Sequence, residues 1–418
     1  MKVRQHSRTI PPVTTGYMMA DECCDVSRPK IVTEFLLSTC RLPLRPSGRD
    51  VPAARCCIEA ELHCARTAGS YPVDDKDAEY IPLTTGSVAE FYIEPMLAHV
   101  GDIDVMYHRN NQLAIPRGHP PPTQLPAEFH NNVSVHEIID SQFPGYVYLE
   151  RSCLGLLKQC PNDGAVGDGN YKLHMKYATR RYLLNVSGDG ENIHGPAMFS
   201  DNCYSSQLSV DAVPCIRCLS WPPQAADWRT RHRNNDWPDS ATLDRVVSNG
   251  CDVVGVAHRQ CRQDMRQHRL SFSRAEIVLI NSWTPVQQIA YHVLRTYVKM
   301  ERLTESADNT NAGTLSKYHI KTLILWACEL KSSSWWTDNN LVRICAELLK
   351  NLSVWLTDTR CPHYFIDNCN ILDNSFNLRS VASKLMSLDE EYLSTWLINN
   401  CMEKMCSTVS DFNFTIIQ

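Results

Sequence analysis

The chain has 418 residues, 43% of them hydrophobic and 21% charged, with a formal net charge of −5. That balance excludes a wholly disordered chain and a polybasic nucleic-acid coat, so a polyanion must be met by local patches. The opening MKVRQHSRTIPPVTTGYMMADE has no continuous apolar core of the signal-peptide kind, and no run approaches the roughly 20 apolar residues of a membrane span; a cytoplasmic chain with no membrane partner is expected.

In chain order, residues 1–44 show scattered Pro and charge without a sustained period, which predicts a mobile or loosely packed arm. Apolar positions three and four apart in PAARCCIEAELHCARTAG, 52–69, predict a helix that leads to Gly86-Ser87. A stretch with strand character follows, then Asp102 and Asp104. On a strand these two aspartates share one face while Ile103 and Val105 share the other. Neighbouring carboxylates repel, and a divalent cation between them removes the penalty.

IPRGHPPPTQLP, 115–126, reads as a surface loop, GYVYLERSC, 145–153, as a strand, and KLHMKYATRRYLL, 172–184, as an exposed basic helix. QLSVDAVPCIRCLSW, 207–221, begins as a strand and brings a third carboxylate, Asp211. Beyond about 275 the pattern turns to long amphipathic helices. The expected organisation is an α+β (mixed α/β) protein with an arm at 1–44, a mixed domain at 45–275 and a helical lobe at 276–418.

The 19 cysteines are odd in number and irregular in spacing, which favours buried reduced thiols over a disulfide framework. Cys215 with Cys218, and Cys251 with His258 and Cys261, are the zinc candidates; neither has a second pair at finger spacing.

Three carboxylates on adjacent strands suit two-metal nucleotidyl transfer, in which Mg²⁺ or Mn²⁺ activates an attacking hydroxyl and neutralises the transferring phosphate. A Gly86-Ser87 turn suits the triphosphate, because a small turn lets backbone N–H groups approach it and the hydroxyl adds a donor.

GSVAEFYIEPMLAHVGDIDVM, HGPAMF (194–199), LSVDAVPCIRCLSWP (208–222), HRLSFSRAEIVLI (268–280), LSKYHIKTLILWACE (315–329) and CPHYFIDNCN (361–370) together resemble, in order, the blocks of the cyclic GMP-AMP synthase-like receptors and their Mab-type developmental relatives. The resemblance implies a polymerase-β-like nucleotidyltransferase core joined to a helical C-terminal lobe, bilobal, with nucleotide in the cleft between. By motif position Asp102, Asp104 and Asp211 look like the catalytic metal triad and Gly86 with Ser87 like the phosphate turn. Arg269, Ser271, Ser273 and Glu276 match the nucleotide-contacting segment, Arg295 a basic residue facing the triphosphate, and Tyr318 an aromatic that stacks on a base. Lys317 stands where the synthase has a triphosphate-binding serine, fourteen residues separate Ser87 from Asp102 in a connection longer than the synthase's, and Ala212-Val213-Pro214 replaces a hydroxyl-bearing strand.

Between Ile280 and Arg295 there is no cysteine and only His292, so the His/Cys zinc projection of the vertebrate DNA-sensing synthase is missing and no zinc is expected. Relatives without it resemble invertebrate receptors, several of which sense double-stranded RNA. The expected partners are nucleoside triphosphates, ATP and GTP first, double-stranded RNA as activator, and a cyclic-dinucleotide receptor that reads the product. Arg41, Arg45, Arg49 and Arg55, and Lys172, Lys176, Arg180 and Arg181, are the basic patches for a duplex, whose phosphates take Lys and Arg. The alternatives are a non-catalytic Mab-type scaffold and a template-free transferase that extends RNA ends.

Overall fold

The protein is described from a computed structural model, over residues 27–40, 80–90, 103–130, 133–151, 193–194, 197–200, 210–233, 235–261, 264, 266–303, 315–372 and 378–402. Helix α1 (Arg28–Thr39) comes first, then β1 (Tyr80–Thr85), α2 (Gly86–Glu90), β2 (Ile103–Pro116), β3 (Ser134–Asp140), β4 (Tyr146–Arg151), β5 (Ile193–His194), β6 (Ala197–Ser200) and β7 (Val210–Cys218). Next are α3 (Ala226–Thr230), α4 (Ser240–Ser248), β8 (Cys251–Val254), β9 (Gln267–Ser271) and α5 (Ser273–Ile280). The rest is helical: α6 (Pro285–Met300), α7 (Lys317–Leu330), α8 (Leu341–Thr357), α9 (Arg379–Met386) and α10 (Glu390–Leu397).

The strands form one sheet in the order β1-β2-β3-β4-β9-β8-β7-β6-β5, and a further β2–β7 pairing closes the run from β2 to β7 into a ring. That pairing is parallel and matches Ile103–His108 with Val210–Cys215 before a register shift. The strand expected near 145–153 is β4, and the strand at the start of 207–221 is β7. The helical texture beyond 275 is borne out by α6 to α10.

Helix α6 explains how sheet and helices join. Thr284 caps it in a reciprocal box with Gln287 and Pro285 fills its first turn, so the start is fixed by local chemistry. Every residue from Val286 to Val298 is buried. A helix covered on all sides has neighbours all round, and one buried cluster accordingly runs from Ile216, Val253 and Leu270 in the sheet through Leu279 and Leu294 to Leu393. The buried helix makes this core continuous from the sheet to the helices.

Two further expectations are corrected. The described part of the 1–44 arm is a packed helix: Val32, Leu36 and Cys40, four residues apart, are buried, and α1 lies against α8 and α10. Burying Val32 and Leu36 contributes about 1.5–3 kcal/mol each. The residues after the Gly86-Ser87 turn begin a helix, α2, where strand character was expected; residues 91–101 lie outside the described residues, as does the helix expected at 52–69.

Candidate active site

Three adjacent strands set the first wall. Thr85 of β1 pairs with Asp104 of β2, and Asp104 pairs with Asp211 of β7. The Thr85 hydroxyl donates to the Asp104 carbonyl at 3.3 Å, which pins the end of β1 to the aspartate. Gly86 then turns at φ +62, and a Cβ there would stand 1.8 Å from Asp104 Oδ2. The carboxylate thus packs onto the bare Cα of Gly86, and only glycine allows both the left-handed backbone and that approach. Ser87 is the second residue of α2. Asp102 lies outside the described residues.

The second wall comes from β9, α5 and α7. Arg269, exposed, and Ser271 lie on β9, and the Ser271 and Ser273 hydroxyls are 3.1 Å apart across the strand-to-helix junction. Glu276 is buried in α5 and accepts from Lys321 Nζ at 2.7 Å. The same ammonium also bonds Glu90, the last residue of α2. Burial alone would lower the Lys321 pKa, but the Glu276 and Glu90 carboxylates hold it well above the ordinary lysine value. Tyr291 donates to Glu90 at 3.4 Å, and burial pushes its phenol up to about 12.

Arg295 is buried on α6, with its guanidinium 5.2 Å from the centre of the Tyr291 ring. Half-buried Tyr318 and Lys317 open α7. Burial, then the charge of Glu276, raises the Tyr318 phenol well above its usual pKa. Its hydroxyl lies 3.3 Å from His363 Nε2, and the positive charge of Arg269 acts on both rings. The structure therefore gathers Arg269, Glu276 and Tyr318 in one place and Gly86, Asp104 and Asp211 in another, and Lys321 joins the two through Glu276 and Glu90.

Three histidines, His319 and His363 buried and His136 half-buried, stay neutral. Burial lowers His363 to about 3 and His136 and His319 to about 4. Each titrates near 6.5 when unfolded, so below that pH the unfolded chain binds the proton and the folded one does not. Stability from these groups is full above pH 6.5 and is lost as pH falls toward the folded values, at about 1.4 kcal/mol per pH unit and group. The expected result is a denaturation midpoint that drops from pH 6.5 to 4, with a shallower drop in His363→Gln, as read by thermal unfolding across that range.

The cysteine candidates do not converge. Three residues apart on β7, Cys215 and Cys218 point to opposite faces. Cys215 donates toward the Tyr107 carbonyl at 3.4 Å, whereas Cys218 stands opposite Cys251 across the β7–β8 ladder. His258 stacks on Phe143 at 3.8 Å. Among the described residues no group of three His, Cys, Asp or Glu side chains is placed to hold a metal ion. The proposed duplex contacts Arg41, Arg45, Arg49, Arg55, Lys172, Lys176, Arg180 and Arg181 lie outside the described residues.

Sequence reasoning passed over Glu90, Lys321 and His363. The usable signal was Lys321, a charge just ahead of the apolar run TLILW and one turn from Tyr318; a charge at such a position needs a partner.

Residues 153–282 match the family model described as the Mab-21 protein nucleotidyltransferase domain, and residues 287–404 match the Mab-21 protein HhH/H2TH-like domain. The first span contains Asp211, Arg269, Ser271, Ser273 and Glu276, and the second contains Arg295, Lys317, Tyr318, Lys321 and His363; the Gly86 turn and Asp104 precede both. The chain is similar to "Protein male abnormal 21" of Caenorhabditis briggsae, 26% identical over 180 residues, which are 41% of this chain and 46% of that protein. It is also similar to "Protein mab-21-like" of Aedes aegypti, 26% identical over 172 residues, 39% of this chain and 44% of that protein. The matches thus span under half the length of these curated relatives. Among the described residues no helix is long and apolar enough to cross a membrane.

Proposed function

From a chain that carries a Mab-21 nucleotidyltransferase domain followed by that family's helical domain, we propose a cytoplasmic cyclic-dinucleotide synthase of the cyclic GMP-AMP synthase-like receptor type. It joins ATP and GTP when double-stranded RNA binds, and a cyclic-dinucleotide receptor reads the product in innate immune signalling. The observation that carries the reading is the Asp104 carboxylate packed on the Gly86 turn, with Asp211 opposite Asp104 in the parallel β2–β7 register.

That packing puts hard oxygen donors beside a turn without a side chain, which fits a divalent cation and a polyphosphate together. Asp104, with Asp102 and Asp211, would hold Mg²⁺ or Mn²⁺, which supplies charge neutralisation on the transferring phosphate and a more acidic attacking hydroxyl. The chain's own groups do the rest. Gly86 lets the backbone approach the triphosphate and Ser87 offers a hydroxyl. Exposed Arg269 and half-buried Lys317 present positive charge next to Tyr318, whose ring stacks on a base. Ser271 and Ser273 face the nucleotide's polar edges, buried Glu276 holds Lys321 behind them, and Arg295 adds positive potential from within α6. A duplex is too wide for a site sized to two nucleotides, so it acts from outside, at Arg49, Arg55, Lys172, Lys176, Arg180 and Arg181, by binding the active arrangement more tightly than the resting one.

The test incubates the purified protein and Mg²⁺ or Mn²⁺ with all four labelled nucleoside triphosphates and duplex RNA, duplex DNA or neither. A cyclic dinucleotide made only with duplex RNA, at a rate untouched by a zinc-selective chelator, is the expected result. Nucleotides added to RNA ends would establish the end-extending transferase instead, and nucleotide bound without any product would establish the scaffold.

A further inference from the structure

Asp252 is fully buried in the short strand β8, between Cys251 and Val253, where a strand rarely keeps a carboxylate. A buried charge persists only with a partner. Arg274 is that partner, its Nε donating to Asp252 Oδ2 at 2.8 Å, while the Cys215 thiol reaches Oδ1 at 3.9 Å. Arg274 is itself set against local preference. It is the second residue of α5, in the first turn, where the helix dipole disfavours a cation. Phe272, at the N-cap, has no side-chain acceptor, so no local cap fixes that turn. Each of these two charges accounts for the other, and the pair fastens the start of α5 to β8.

The fastened segment carries a pair of hydroxyls. Ser271 faces Asp252 across the β8–β9 ladder, Ser273 opens α5, and their hydroxyls are 3.1 Å apart over the junction. Ser271 also donates toward Met106 Sδ at 3.8 Å. Met106 is buried on β2 two residues beyond Asp104, and residues two apart on a strand share a face, so the serines meet the side of the sheet that carries Asp104. Arg217 flanks Asp252 in the β7–β8 ladder, but its guanidinium donates to the carbonyls of Cys218 and Cys251 at 2.6 Å each and to that of Asn249. Arg274 is therefore the cation that Asp252 holds.

We infer that the Asp252–Arg274 pair is a positioning clamp for Ser271 and Ser273, fixing the first turn of α5 so that both hydroxyls stand at the nucleotide's polar edges on the face of Asp104. Its use in binding rests on the nucleotidyl-transfer reading; the clamp itself rests on the contacts of Arg274, Ser271 and Met106. The pair acts through the serines and leaves the metal carboxylates in place, so its loss weakens nucleotide binding more than turnover.

The test follows the Met106 methyl resonance in the full-length protein labelled at its methionine methyls, together with KM and kcat for ATP and GTP with Mg²⁺ and duplex RNA. Asp252→Asn, Arg274→Gln and the double variant are compared with the wild-type protein, and Ser271→Ala marks the resonance position when the serine contact is lost. Each single variant is expected to move the Met106 resonance toward that position and to raise KM about tenfold, the scale of one lost hydrogen bond, with kcat within about threefold. The double variant is expected to match the singles, because both changes break one contact. Asp252 lies opposite Ser271 and Arg274 lies beside Ser273, and the same cycle separates such direct effects from the clamp. If Asp252→Asn shifts the resonance as much in the Arg274→Gln background as in the wild-type one, the clamp is overturned; an unmoved resonance in either single variant also overturns it. A loss of kcat at unchanged KM shows a merely structural role and has the same consequence. Should a single variant with its stranded charge fail to fold, the neutral double variant decides, and an unmoved resonance there sinks the inference. ATP and GTP that do not bind the wild-type protein overturn the nucleotidyl-transfer reading, while the Met106 resonance still decides the clamp.

Discussion

Replacing Glu329 by alanine is expected to cost about 3–5 kcal/mol of unfolding free energy, because it strands two guanidinium groups whose side chains are only 15% and 8% exposed. Glu329 lies near the end of α7 with its side chain 4% exposed, and its Oε2 accepts from Arg231 at 2.6 Å, Arg233 at 3.3 Å and Tyr364 at 2.8 Å. Neither arginine can turn to water easily. Arg231 sits 4.4 Å from the Trp326 ring centre and 4.6 Å from that of Tyr364, and it donates to the Tyr364 carbonyl. Arg233 lies over Trp228 at 5.0 Å and donates to the Trp228 carbonyl at 2.6 Å. The carboxylate therefore fastens the segment after α3 to α7, and its loss is a large share of the roughly 5–15 kcal/mol that typical domains possess. Glu329→Gln, which keeps the shape and one acceptor, is expected to cost less, about 1–3 kcal/mol. Urea unfolding of the full chain reads both; a loss below about 1 kcal/mol in Glu329→Ala would show that the arginines are satisfied without it.

Gly86→Ala is expected to abolish turnover while the protein remains folded. The added Cβ meets Asp104 Oδ2 at 1.8 Å and its Cγ at 2.7 Å, so the carboxylate must leave its place. The backbone at φ +62 adds about 1–2 kcal/mol of strain for a residue with a side chain. A displacement of about 1 Å at a reacting centre costs about a hundredfold in rate, and here the displaced group is the proposed metal ligand itself. Stability should fall by only about 1–3 kcal/mol, since Asp104 is half-buried rather than enclosed in the core. The measurement pairs product formation with an unfolding curve: lost rate and kept fold is the predicted outcome, and unchanged rate would remove Gly86 from the site.

What could be read from the chain was what short-range pattern encodes. Alternation around Asp104 and Asp211 predicted β2 and β7, and apolar spacing beyond 275 predicted the helices, because strand and helix faces repeat every two and about 3.6 residues. Helix α1 escaped because Phe35-Leu36-Leu37 is a continuous apolar block that blurs the period, although only Leu36 of the three is fully buried. Helix α2 has five residues, too few to show a helical period at all. Cys215 and Cys218 have the spacing that chelates in a turn, but on strand β7 the same spacing sends the two sulfurs to opposite faces. The link between Glu90 and Lys321 spans 231 residues of sequence, and nothing local in either segment announces the other. Candidate chemistry on single elements was therefore visible, whereas the device that joins the elements appeared only with the fold.

The most direct measurement is a single-turnover rate with labelled ATP and GTP, Mg²⁺ and duplex RNA, on the wild-type protein and on Asp104→Asn with its fold verified. Asparagine keeps the shape and withdraws the charge, so the comparison isolates the carboxylate's role in holding the cation. The account predicts loss of about a thousandfold or more in the variant, equivalent to about 4 kcal/mol of transition-state stabilisation. A folded Asp104→Asn protein that forms product within about tenfold of the wild-type rate would contradict it, because less than about 1.4 kcal/mol would then depend on the carboxylate.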